Sequence, residues 1–200
     1  NGPMKEWFED GKMSVEGVYK DGEKSNQWIF WLANGNKDFE GSFIAGLRDG
    51  LWTFYSDSTA NKSYEGIYKD DKRNGEWTFW YLNKETWKKG GYLNDKKNGQ
   101  WSYWSESKQL VMQGVYKNGR ENGEWKSWFD NGAKKDVGSF TDGLVNDEWN
   151  GWFENGQKDY TGTYNQGLKD GLWEHWYLDG QQELMDGYLV KSKEKKTYLK

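Results

Sequence analysis

The sequence predicts an all-β protein, an elongated, single-layer antiparallel β-meander built from tandem 24-residue β-hairpin repeats. Three observations carry the expectation. Glycines recur 24 residues apart at Gly17, Gly41, Gly66, Gly90, Gly114, Gly138 and Gly162, with one interval of 25 and a degenerate eighth start at Asp186-Gly187. Aromatic residues keep a fixed phase to those glycines, and turn signals separate every pair of apolar segments. No 3.6-residue periodicity runs between such closely spaced turns, so helices are not expected.

The first strand of each unit carries an aromatic two residues after the opening glycine: Tyr19, Phe43, Tyr68, Tyr92, Tyr116, Phe140 and Tyr164, with Tyr188 in the last unit. A polar loop follows. One of its positions holds Gly22, Gly46, Gly119, Gly143 and Gly167, but Asp71 and Asp95; the other holds Gly50, Gly75, Gly99, Gly123 and Gly171, but Asn26 and Asp147. Asn and Asp are the non-glycine residues that best tolerate positive φ, so both positions call for left-handed backbone.

The second strand opens on a Trp nine residues after the aromatic, the expected structural ladder of Trp28, Trp52, Trp77, Trp101, Trp125, Trp149 and Trp173. Three further on stands a second large aromatic: Trp31, Tyr55, Trp80, Trp104, Trp128, Trp152 or Trp176. This second ring is expected to stack in a column over the opening glycine of a neighbouring strand. Asn34-Gly35, Asn131-Gly132, Asn155-Gly156 and Asp179-Gly180 then read as two-residue type I′ turns. Asn83-Lys84 and Ser107-Lys108 lack the glycine, and looser hairpins are expected there. The one longer interval falls near Ser58 to Asn61, in a turn, where an insertion is tolerated.

At the ends, residues 1–16 read as a partial repeat, with Trp7, Phe8, Asp10 and Gly11 matching the second half of a unit. An alternative takes Gly2-Pro3 as an added leader ahead of Met4. Residues 17–185 hold seven tandem repeats, and residues 186–200 a degenerate repeat and Lys-rich cap that would keep an edge strand from pairing with other chains. Strands about 4.8 Å apart would make a sheet on the order of 70 Å long.

Composition sets bounds on function. Leu, Ile, Val and Phe make up only about 16% of residues and the mean hydropathy is -1.18. With a net charge of only -4 and 18% aromatics, the chain still has what it needs to fold. Each Trp or Tyr can bury about 150–250 Å², on the order of 4–6 kcal/mol before entropy is subtracted. There is no cysteine, hence no disulfide framework, thiol nucleophile or thiolate metal site. No run of 18 apolar residues and no signal-peptide core is present, and a signal already removed would leave no trace, so the compartment stays open. A sequence pI near 5.2 with interspersed charges speaks against a nucleic-acid groove.

No cofactor, metal site or catalytic residue is expected. His175 is the sole histidine and occupies a place held by Phe30, Phe54, Phe79 and Tyr103 in earlier units. A triad or zinc site needs more than one such residue. Acid pairs such as Asp70-Asp71 lie in turns, where their type is favoured for backbone reasons.

The variable positions are the candidate binding residues. Two residues after the first Trp stand Phe30, Phe54, Phe79 and Tyr103, then Ser127, Gly151 and His175; two further on stand Leu32, Ser56, Tyr81 and Ser105, then Phe129, Phe153 and Tyr177. An apolar stripe shifts sideways midway along the chain. Alternation places Trp125, Ser127 and Phe129 on one face, with Lys126 and Trp128 on the other. Left uncovered, such a stripe marks an interaction surface, with Phe30, Phe54, Phe79, Tyr103, Phe129, Phe153 and Tyr177 as candidate contacts.

The repeated string G-x-[YF]-x-x-G-x-x-x-G-x-W-x-x-[WY]-x-x-N-G, best kept in Gly114 to Val137 and Gly162 to Met185, resembles the variant MORN repeat. The resemblance covers residues 7 to about 188. It implies an interaction platform, and its bacterial branch, often catalogued as antitoxin-like, implies neutralisation of a partner toxin. A non-enzymatic scaffold for protein–protein interaction, through the aromatic face or a sheet edge, is the first expectation. A carbohydrate or cell-wall module with an aromatic platform is the alternative, and face-to-face homodimerisation is also open.

Overall fold

In a computed structural model that describes residues 1–183, 188–190 and 196–198, consecutive long strands are joined as antiparallel hairpins by loops of two to six residues. Two compact units are distinguished, Asn1–Asn98 and Gly99–Lys200. The first holds β1 (Gly2–Trp7), β2 (Met13–Lys20), β3 (Glu23–Trp31), β4 (Lys37–Ile44), β5 (Leu47–Tyr55), β6 (Lys62–Lys69), β7 (Lys72–Trp80) and β8 (Thr86–Leu93). The division falls within β9 (Lys96–Trp104). The second unit continues with β10 (Leu110–Lys117), β11 (Arg120–Trp128), β12 (Lys134–Thr141), β13 (Leu144–Trp152), β14 (Lys158–Asn165) and β15 (Leu168–His175). Two short strands, β16 (Tyr188–Val190) and β17 (Lys196–Tyr198), pair antiparallel with each other.

Each unit is an open antiparallel meander of sequential neighbours, β1 through β8 in one and β9 through β15 in the other. No helix occurs among the described residues. The Lys-rich cap expected over 186–200 falls largely outside the described residues.

The glycine-type positions behave as the sequence requires. Gly22, Gly46, Asp71, Asp95, Gly119, Gly143 and Gly167 all have positive φ, and so does each preceding residue, from Asp21 at 53° to Gln166 at 50°. These are two-residue turns with both residues left-handed, the type I′ geometry. The Asn-Gly pairs are not, which corrects the sequence expectation. Gly35 has φ 90° but Asn34 is not left-handed, and paired bonds run from the Leu32 amide to the Asn36 carbonyl and from the Gly35 amide to the Leu32 carbonyl. That is a three-residue loop, a type I turn closed by one left-handed residue. Its cause is local: Asn34 Oδ1 accepts the Asn36 amide at 2.9 Å, which holds Asn34 in right-handed backbone.

Lys84 and Lys108 occupy the glycine place with φ 72° and 70° and keep the same bonds, Lys84 amide to Tyr81 carbonyl and Lys108 amide to Ser105 carbonyl, each 3.0 Å. The hairpins expected to be looser are strained instead. The longer loop after Ser56 closes with the Ser56 amide donating to the Asn61 carbonyl and with left-handed Ala60.

A second correction concerns the ring over the glycine. It belongs to the first Trp. A Cβ on Gly17 would lie 2.1 Å from the Trp28 ring, on Gly41 2.2 Å from Trp52, and on Gly66 2.2 Å from Trp77. The same holds for Gly114 under Trp125, Gly138 under Trp149 and Gly162 under Trp173. The register explains why. Gly41 faces Trp52 while Ser42 faces Asp49, so Gly50 and Leu51 bulge, and left-handed Gly50 starts the bulge. Beside the bulge, Trp52 Nε1 donates to the Ser42 carbonyl at 3.1 Å. Trp77, Trp125, Trp149 and Trp173 repeat the bond to Ile67, Val115, Ser139 and Thr163. Bulge, bare glycine and indole are thus one device that seats a large ring flat on a single-layer sheet.

The second aromatics make a different contact. Tyr55, Trp80, Trp152 and Trp176 take Lys37, Lys62, Lys134 and Lys158 against their rings at 5.3–5.9 Å.

Candidate functional site

One face of each unit holds the aromatic core. The first-strand aromatic meets the Trp edge-on, as with Tyr68 and Trp77 at 5.1 Å and 84°, and the next unit's aromatic meets the same Trp from the other side, as with Tyr92 at 5.9 Å. Edge-to-face contacts at this spacing satisfy the ring quadrupoles. Trp28, Trp52, Trp77 and Trp101 are fully buried although no second layer covers them among the described residues.

Beside this ladder in the first unit runs a continuous row of rings. Phe30 lies 4.3 Å from Phe39, Phe39 5.8 Å from Phe54, Phe54 4.4 Å from Tyr64, and Tyr64 5.6 Å from Phe79. All five are half-buried. Sequence reasoning found Phe30, Phe54 and Phe79 but missed Phe39 and Tyr64, which the returning strands supply by facing Phe54 and Phe79 in register. The available signal was their place two residues before Gly41 and Gly66, on the Trp side of the strand. A lysine closes each end: Lys24 Nζ sits 5.2 Å from the Phe30 ring and Lys88 Nζ 4.6 Å from that of Phe79. Burial, with like charge from Lys97, lowers the Lys88 ammonium below its ordinary pKa.

Cations also bracket the Trp ladder, and the sequence reading did not find them. Lys24 Nζ lies 4.7 Å from Trp28; Arg48 lies 4.0 Å from the Tyr68 ring and Arg73 4.2 Å from that of Tyr92. Each arginine is held by the aspartate that replaces a turn glycine. Arg48 Nε donates to Asp71 at 2.8 Å and Arg73 Nε to Asp95 at 3.1 Å. The bond to Arg48 holds the Asp71 carboxyl below its usual range. Asp71 and Asp95 are therefore both turn residues and anchors for an arginine, an asymmetry with Gly46 and Gly119 that the repeat alignment contained.

In the second unit the row changes character. The register places which would continue it hold Tyr103, Met112, Ser127, Asp136, Gly151, Tyr160 and His175. Tyr103 brings its hydroxyl 3.3 Å from that of Tyr116. Ser127 Oγ donates to Asp136 Oδ2 and the Tyr160 hydroxyl to Asp136 Oδ1, each at 2.8 Å. Tyr160 lies across Gly151, where a Cβ would stand 2.0 Å from its ring, and His175 stacks 6.3 Å from Trp173. Where Ser127 stands in place of the Phe of earlier copies, a cavity of about 240 Å³ opens beside Trp125, with Phe140 and Trp149 on its wall.

Phe129, Phe153 and Tyr177 do not continue the row. Each lies past its strand, where its amide and carbonyl close the three-residue loop. Lys135 packs on the Phe129 ring at 5.6 Å, Phe153 is half-buried, and Tyr177 is 53% exposed. No group of acids and histidines that could hold a metal occurs among the described residues.

No curated protein matches the chain. Residues 1–21 and 97–118, each a Trp-bearing strand with the loop and glycine-bearing strand that follow it, match the family model of the MORN repeat variant.

Proposed function

We propose that the chain is a non-enzymatic repeat scaffold that binds a protein partner, and that in the first unit the partner lies along the ring row from Phe30 to Phe79. MORN-variant repeats fit such a role, since repeats of this kind commonly serve as binding modules. The observation that carries the reading is the row itself: five half-buried rings on the face of a single-layer sheet, with Lys24 at one end and Lys88 at the other. An extended segment with apolar side chains in its middle and carboxylates at both ends matches that distribution. Apolar contact would supply affinity and the lysines would fix register.

The test is a titration with synthetic peptides of that pattern against peptides flanked by lysine. The acidic-flanked peptide binds, the lysine-flanked one binds at least about tenfold more weakly, which is about 1.4 kcal/mol, and the double variant Phe54→Ser, Phe79→Ser loses binding while keeping its cooperative melt. Equal binding of both peptides, or an undiminished affinity in the folded double variant, overturns the reading.

A further inference from the structure

We infer that the cavity beside Trp125 in the second unit is a receptor for an organic cation, an ammonium or guanidinium group supplied from outside the chain. It goes beyond the partner proposed for the first unit and does not depend on it.

The argument starts from what occupies the corresponding place elsewhere. Four residues before the ladder Trp stand Lys24, Arg48, Arg73, Lys97, Glu121, Val145 and Lys169, opposite the first aromatic of the hairpin in every copy whose register is described. At Lys24, Arg48, Arg73 and Lys169 the charge lies on rings of the ladder. Lys24 is within 5.2 Å of Trp28, Phe30 and Phe43, Arg48 lies over Tyr68, Arg73 over Tyr92, and Lys169 4.0 Å from Trp173. The ring arrangement of this repeat is thus one that holds a cation against π faces, and the chain fills it with its own side chains.

At Trp125 the arrangement of rings is kept and the residue four before the Trp is acidic. Tyr116 meets Trp125 edge-on at 5.1 Å, Trp125 meets Phe140 at 5.8 Å, and Phe140 meets Trp149 at 5.2 Å. The basic residue has become Glu121, and the neighbouring copy has Val145. The Phe of earlier copies has become Ser127, so charge and volume are removed at one place, leaving the cavity of about 240 Å³.

Two carboxylates border that space. Asp136 is oriented by the hydroxyls of Ser127 and Tyr160, which occupy its two oxygens without neutralising it. Glu121 stands beside the Tyr116 hydroxyl. Lys126 also borders the cavity, but its ammonium is paired with Glu124 Oε1 at 2.6 Å. Aromatic walls with two carboxylates at the rim complement a soft cation of a few heavy atoms better than a neutral sugar or an anion.

The experiment follows the indole resonances of Trp125 and Trp149 by NMR in the full chain. The probes are choline, N-acetyl-lysine methylamide and N-acetyl-arginine methylamide, with 3,3-dimethyl-1-butanol as the neutral shape match of choline. At least one cation produces saturable shifts, and the neutral analogue binds at least about tenfold more weakly. Preference for the amino-acid amides assigns the cation to a protein side chain; preference for choline assigns it to a free quaternary ammonium. Glu121→Lys restores the residue type that Lys24 and Lys169 already show to be compatible with the repeat, so it folds and fills the site from within. It abolishes binding, and Asp136→Asn, which keeps the shape and hydrogen-bonding capacity, weakens it about tenfold. Equal binding of the neutral analogue, unchanged binding in a folded Glu121→Lys variant, or no saturable shift with any cation overturns the inference.

Discussion

The indole of Trp125 lies flat on the backbone of Gly114, so close that a Cβ at that glycine would stand 2.1 Å from the ring. The bond from Trp125 Nε1 to the Val115 carbonyl at 3.2 Å holds the ring in that place. Gly114→Ala is expected to destabilise the second unit by about 3 kcal/mol, the upper end of what overpacking costs. Gly123→Ala meets no atom within 4 Å but sits at φ +71°, so backbone strain alone costs about 1 kcal/mol. Urea melts give the two magnitudes, and near-UV circular dichroism separates the causes: Gly114→Ala alters the tryptophan bands and Gly123→Ala leaves them unchanged.

Truncating the ladder has a cost that depends on what covers each ring. Trp52 is 1% exposed, flanked by Phe39, Phe43, Phe54 and Tyr68, whereas Trp173 is only half-buried. Trp52→Ala is expected to cost about 3–5 kcal/mol and Trp173→Ala less, by roughly the area that solvent already reaches. Chemical denaturation monitored by the remaining tryptophans checks the order. Equal losses would show that both rings are held by the bulge alone and that the lateral rings contribute nothing.

The register of the hairpins was legible in the sequence because its signals are local. Backbone at Asn26, Gly50, Asp71 and Gly123 needs positive φ, and only glycine, Asn and Asp serve there cheaply. What could not be read was which turn uses which geometry, because Asn34-Gly35 satisfies both a two-residue and a three-residue loop until the Asn34 side chain is seen to hold the Asn36 amide. The choice of Trp28 over Trp31 for the glycine seat was hidden for a related reason. It depends on a two-residue bulge opposite Gly17, and strict alternation of faces contains no bulges. Of the candidate site, Phe30, Phe54 and Phe79 came from repeat comparison within one strand. Phe39, Tyr64 and the cations opposite the ladder come from adjacent strands, so they appear only once register is known.

Lys84 and Lys108 pay for their turns with left-handed backbone that glycine adopts without strain, φ 72° and 70°. Left-handed conformation costs an L-residue roughly 1–2 kcal/mol, partly offset by the entropy glycine loses on folding. Lys84→Gly and Lys108→Gly are each expected to stabilise by about 0.5–1 kcal/mol. The same change at Lys89, in the interior of β8, is expected to destabilise. Thermal melts of the three variants decide between a turn effect and a general response to removing lysine.

Alkali should test the polar network that replaces the ring row in the second unit. Burial first, and then its hydrogen bond to Asp136, raise the Tyr160 hydroxyl above the ordinary value of 10.0. Below pH 10 the phenol is protonated in folded and unfolded chains alike, so its contribution is fully present. Above pH 10 the unfolded chain releases this proton while the folded one retains it, and stability falls as pH rises towards the folded pKa. Tyr116 is shifted the same way, by burial and then by Tyr103, and Tyr55 by burial and then by Glu40, so the parent adds their slopes. Tyr160→Phe removes one of them. Its urea midpoint is expected to lie below that of the parent at pH 8, where the bond to Asp136 is lost, and to decline less steeply between pH 9.5 and 11. Parallel declines in the two proteins would mean that Tyr160 titrates alike in both states, and that the hydroxyl is not held against Asp136 in solution.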